Sequence, residues 1–345
     1  MALTLYPPDE FEIGIKPPYD VREVTDHPFN IIKSLANDSL SVESAINLLA
    51  DPIDKLTTTG FEDEAMEGVH FLTQTFNALL PQIPHDHPAA AGLATITASL
   101  MTRPTPLTPS ALPKQCEEYK AQGVDIDLET VNPWSGMSKP RCRYSDVPAS
   151  DYVIQRDIMC HGKDDYRPQY ELPNRLLGGS KEAENAIKNE WTRHNAFLAR
   201  LLTHPKFPHR DIYLARSFYA IVPALESVYH AHSDESLSAD VPAAAAWLIY
   251  AGDVIFAAAQ WEIPSQNLGR LGRVGGPLWE QVEGRGTVGE DANGGKEEGF
   301  SRQRWDFWKV RLRWIEEESQ ADEEAKRMAR EAMGKMEEVE KARTS

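Results

Sequence analysis

The sequence predicts an all-α fold: a single large, irregular helical bundle with a long proline-rich loop insertion and a long C-terminal helix. Two observations predict it. Apolar residues recur at steps of three and four along much of the 345-residue chain, the spacing that gathers them on one face of a helix. Several of these stretches open on Ser or Asp, and one stops at Pro81 and Pro84, the residues that mark helix ends.

Residues 1–27 read as an N-terminal extended segment, and residues 28–345 as one helical domain. A short helix is predicted from Asp38 to Ala50, with Val42, Ile46 and Leu49 on its apolar side. From Glu62 to Leu80 the stripe Ala65, Val69, Leu72, Phe76, Leu79 repeats the pattern. Asp86 is placed to cap a third helix, with Pro88 in its first turn and Leu93, Ile96 and Leu100 on one side.

The period then fails. Residues 103–180 carry many prolines and read as an irregular excursion. Helices resume at Ser180 and run to about Thr203, then from Asp211 to Tyr229, where Pro223 predicts a kink. Asp240 is placed to cap an alanine-rich helix reaching Trp261. Its length suits a bilayer, but Ala is weakly apolar and Asp253 sits within it, so a buried core helix is expected. Residues 283–299, rich in Gly and Glu, read as a disordered loop. Ser301 then caps one long helix over 301–342 whose apolar stripe Ala325, Met328, Ala332, Met336, Val339 lies on the body or on a partner.

Composition bounds function. The net charge of -17 repels phosphate backbones and anionic lipid, which argues against nucleic-acid and membrane partners. Three cysteines, far apart and without a Cys-x-x-Cys pair, give neither a disulfide framework nor a zinc ribbon. No metal or cofactor is expected: phosphate-loop, nucleophile-elbow and metal-ligand spacings are missing, and the pairs His85/His87 and His230/His232 lack a third ligand. The opening residues carry no basic, apolar leader, so the cytoplasm, or else the nucleus, is the expected compartment.

Polar residues stand out where the helices should be apolar. Around Trp191 the predicted inner arc includes Glu190 and His194, one turn apart. In the C-terminal helix, Trp305, Trp308, Leu312 and Ile315 make one stripe, Phe307, Val310 and Trp314 a second, and Arg304 and Arg311 lie between them. Asp253 and Gln260 share a narrow stripe on the alanine-rich helix, which is either a solvent-facing seam or the place where Asp253 meets an arginine. The candidate cluster is therefore Glu190, His194, Asp253, Arg304 and Arg311, walled by Trp191, Trp247, Trp305 and Trp308, with Glu226 and Arg216 as further members. It reads either as a salt-bridge network that fixes helix packing or as an acid–base dyad beside an anion-binding arginine pair.

Four motifs invite comparison: Trp191-x-x-His194-Asn195-Ala196-Phe197; Val241-Pro242-Ala243-Ala244-x-x-Trp247 with Tyr250-Ala251-Gly252; Gly276-Pro277-Leu278-Trp279; and Gly299-Phe300-Ser301-x-x-Arg304-Trp305-x-Phe307-Trp308. Together they resemble the fungal family known as domain of unknown function 3632, over about Phe29 to Met333. The resemblance implies a fungal, intracellular, all-helical protein and brings no activity, cofactor or catalytic residue. Two functions follow as expectations. One is a non-catalytic interaction or regulatory protein with an unknown protein partner. The other is a binder of a small apolar or anionic ligand, or a cofactor-independent accessory enzyme of fungal specialised metabolism. A homo-oligomeric scaffold is a third.

Overall fold

The computed structural model describes residues 3–6, 27–58, 68, 71–72, 75–76, 78–101, 181–205, 207, 210–227, 234–261, 275–283, 289–290, 296–297 and 299–344. The proline-rich stretch 103–180 with its cysteines, the start of the predicted Glu62–Leu80 helix, the Ser180 cap and the pair His230/His232 lie outside them. The all-α class holds. Helices α1 (Pro28–Ala36), α2 (Val42–Thr58), α3 (Pro88–Met101), α4 (Lys181–Thr203), α5 (Arg210–Glu226), α6 (Asp234–Gln260), α7 (Pro277–Glu280), α8 (Arg302–Glu317) and α9 (Glu323–Thr344) carry it. The described part of 283–299 is not wholly irregular: Gly289–Glu290 pairs antiparallel with Lys296–Glu297.

By contacts the chain divides into two compact units, residues 1–83 with 87–151, and 84–86 with 152–345, where the sequence suggested one domain over 28–345. In the first unit α1, α2 and α3 pack on one another. Helices α1 and α3 start alike, on a His-Pro pair. Nδ1 of His27 accepts from the Phe29 N–H and Nδ1 of His87 from the Ala89 N–H, both at 3.2 Å. The imidazole thus replaces the usual Ser or Asp oxygen on an orphan first-turn donor. The cap of α3 is therefore His87, not the expected Asp86.

In the second unit α6 is central, packed against α4, α5, α8 and α9. Residues Ala243 to Leu248 are wholly buried there, because four alanines let neighbouring backbones close in. The core reading of this helix holds, although Leu237–Gln260 is long and apolar enough to cross a membrane. It starts at Asp234, six residues upstream of the expected cap: Asp240 lies inside α6, which bends at Ala251 (φ -127°, ψ 17°).

The expected single C-terminal helix is two. It breaks at Glu318–Asp322, and α9 returns antiparallel along α8, so that Glu340 near its end meets Arg302 and Lys309 in the first half of α8. The stripe Ala325, Met328, Ala332, Met336, Val339 is buried. It lies on the body, against α6 and α8, and is not free for a partner.

Candidate functional site

A fully buried charged pair joins the C-terminal end of α5 to the first turns of α8. Ser301 caps α8, its hydroxyl accepting from the Arg304 N–H at 3.1 Å, and this fixes the helix start so that Arg304 projects inward. Both Arg304 and Glu226 are 0% exposed. The guanidinium grips the carboxylate with two bonds, Nε to Oε1 at 2.7 Å and Nη2 to Oε2 at 2.8 Å. Trp308 Nε1 donates to Oε1 at 2.7 Å, and the Gly276 N–H to Oε2 at 2.8 Å. Arg304 Nη1 gives its bond to the Gly299 carbonyl at 3.0 Å. A buried ion pair is tolerable only with excellent geometry and its remaining donors and acceptors satisfied, and the four bonds to Glu226 meet that condition.

Aromatic rings enclose the pair. The Arg304 guanidinium lies 4.6 Å from the Phe218 ring centre and under 6 Å from those of Trp279 and Trp308. Phe300 packs on Phe218 at 4.2 Å. Two glycines let the backbone come this close. Gly276 approaches so tightly that a Cβ there would sit 2.5 Å from Glu226 Cβ. Gly299 takes φ 32°, a left-handed value that costs other residues more. Low polarity around the pair strengthens each bond and equally raises the cost of breaking one.

The other predicted residues do not gather here. Glu190 is exposed; only its backbone carbonyl reaches His194, whose Nδ1 lies 3.0 Å away. His194 is buried. Asp253 is exposed, like Gln260, so the solvent-facing seam is what forms, and Asp253 meets neither Arg304 nor Arg311. The expectation fails because α6 turns that stripe outward; Glu226, a marginal candidate, supplies the carboxylate. Arg311 is half-buried and donates through Nε to the Leu225 carbonyl at 3.1 Å. Of the expected walls, Trp308 serves the clasp. Trp247 and Trp305 are buried elsewhere in the core, and Trp191 is half-buried.

Three further groups went unread in the sequence. Asn195 accepts from Trp247 Nε1 at 2.6 Å and donates to the Trp191 carbonyl at 2.9 Å; its position one turn after Trp191 was the available signal. Glu340 takes Trp305 Nε1 at 2.7 Å and Lys309 Nζ at 2.8 Å. Burial works to raise this carboxyl, but the Lys309 and Trp305 bonds outweigh it and hold it below the usual carboxylate range. Finally, His85 Nδ1 lies 2.9 Å from the Tyr250 hydroxyl, and the Arg200 guanidinium stacks 3.5 Å over the Tyr250 ring. Burial lowers the His85 pKa against the opposing pull of Asp86 and Glu324, and raises that of Tyr250. No sequence signal links the partners in the last two groups, which are far apart in the chain.

Among the described residues no set of three His, Cys, Asp or Glu stands close enough to hold a metal ion. No curated protein and no solved structure matches the chain. All four motifs lie between residues 156 and 312, and over that span the chain matches the family model described as protein of unknown function (DUF3632). The span is shorter than the Phe29–Met333 of the sequence reading, and over it the resemblance to this family is shown.

Proposed function

We propose that this chain is a non-catalytic interaction protein. The observation that supports this reading is the Glu226–Arg304 clasp. The buried acid and base that α5 and α8 bring together spend their hydrogen bonds on each other and on the backbone and indole groups around them. General acid–base work needs a group that can reach the substrate proton, and both side chains are 0% exposed. Glu190 and Asp253, the other acids of the expected cluster, stand in solvent, away from the clasp, which weighs toward the interaction reading.

The clasp should therefore behave as a packing element. Arg304→Met leaves a buried carboxylate without its partner and is expected to cost about 3–5 kcal/mol. Adding Glu226→Gln removes the charge while keeping one acceptor oxygen, and should restore part of that loss in chemical unfolding. The decisive measurement is native mass spectrometry of the full chain purified from its own cells. A protein partner in fixed ratio, kept by the folded double variant, supports the proposal. A small molecule in fixed ratio, lost in that variant, would overturn it.

A further inference from the structure

Arg311 repeats Arg304 seven positions along α8 and is its opposite in pairing. Arg302, Arg304, Arg327 and Arg330 on α8 and α9 each face a carboxylate. Arg311 has none among the described residues, like Arg313 and Arg343, but those two are exposed whereas Arg311 is half-buried, in a chain whose net charge is -17. Its Nε is held by the Leu225 carbonyl, and its guanidinium stacks 4.4 Å over the Trp314 ring. Those contacts fix the plane and leave Nη1 and Nη2, the end-on fork that a carboxylate takes with two bonds. Burial lowers the Arg311 pKa, and among the described residues no carboxylate opposes it.

The surroundings are apolar. Val310 is 64% exposed, while Phe307 and Trp314 are half-buried on the same side, Phe307 meeting the Trp279 ring edge-on at 5.4 Å. Phe307 and Trp314 are seven residues apart, about 10 Å along the axis. A lone small anion would use only the fork; a line of this length suits a peptide lying along the helix. Arg, Trp and Phe are also the residues that dominate binding energy at interfaces. Prior fixation of the guanidinium reduces the entropy lost on binding.

We propose that the α8 face formed by Phe307, Val310, Arg311 and Trp314 docks an acidic amphipathic peptide segment of a protein partner, with Arg311 taking a carboxylate that apolar side chains flank. This rests on the interaction reading above and adds to it a surface and a partner chemistry. The test pans the full-length chain against displayed random peptides. Enriched peptides should carry Asp or Glu beside aliphatic or aromatic residues. The synthesised winner should bind Arg311→Gln and Val310→Asp about ten-fold or more weakly, with a cooperative unfolding transition kept in both.

Indifference of the winner to both substitutions overturns the proposal. So does equal protection of the chain by acetate or phosphate alone, which would mark a small-anion site. Self-association lost in Arg311→Gln would make the occupant a second copy and overturn it too. If partners retrieved from the cell bind Arg311→Gln undiminished, this face is wrong while the interaction reading stands. If no protein accompanies the wild-type chain, both fall.

Discussion

At the scale of single residues, two glycines differ in what surrounds them, and this fixes the sign of the same substitution. Gly276 carries an N–H that Glu226 needs and has no room for a side chain. Gly276→Ala must push the loop off the carboxylate, and is expected to cost about 3 kcal/mol from overpacking alone. Gly334 lies inside α9 with nothing within 4 Å of an added Cβ, so Gly334→Ala should stabilise by about 0.5–1 kcal/mol. Thermal unfolding of the two variants side by side checks both signs. The glycine of the Gly276-Pro277-Leu278-Trp279 motif was visible in the sequence. Its reason, a close approach to a residue fifty positions away, was not.

Elements show where local rules suffice. Steps of three and four marked α2, α3, α4 and α8, because amphipathic spacing is a property of the segment itself. Helix α1 escaped notice, and the α3 cap was misassigned, because a histidine before proline is an uncommon N-cap. The break between α8 and α9 was missed as well. Its residues, Glu318-Ser319-Gln320-Ala321-Asp322, contain neither Pro nor Gly. The turn is held by contacts: Ser319 Oγ donates to the Ile315 carbonyl, and the Asp322 N–H reaches Ser238 Oγ on α6.

The turn at His85 adds a pH dependence. Its pKa in the folded protein is lowered by burial, so at neutral pH the imidazole is uncharged in both folded and unfolded chains. As the pH falls below about 6.5 the unfolded chain takes up the proton first, and stability declines down to the folded-state pKa. Unfolding free energies between neutral and mildly acid pH should fall in the wild type, and the decline should be shallower in His85→Gln.

For the whole molecule, the second unit depends on its last helix. Ala325, Met328, Ala329, Ala332 and Met336 are all 0% exposed, against α6 and α8. Ending the chain after Asp322 uncovers that apolar surface on both partners, a loss large beside the usual 5–15 kcal/mol of folding free energy. The truncated chain is expected to lose its cooperative thermal transition and to bind a hydrophobic dye; an unchanged, sharp transition would contradict this packing. Surface substitutions, rather than deletion of α9, are thus the proper probes of binding.

The sequence alone determined the helical class, the core nature of α6, the Ser301 cap and the inward-facing place of Arg304. All of these follow from spacing within a segment. Tertiary structure alone decided which charge meets which. The way α4, α5, α6 and α8 pack leaves Asp253 and Glu190 outward and brings Glu226 to Arg304. Pairing between distant segments depends on how whole helices pack, and no local periodicity encodes that.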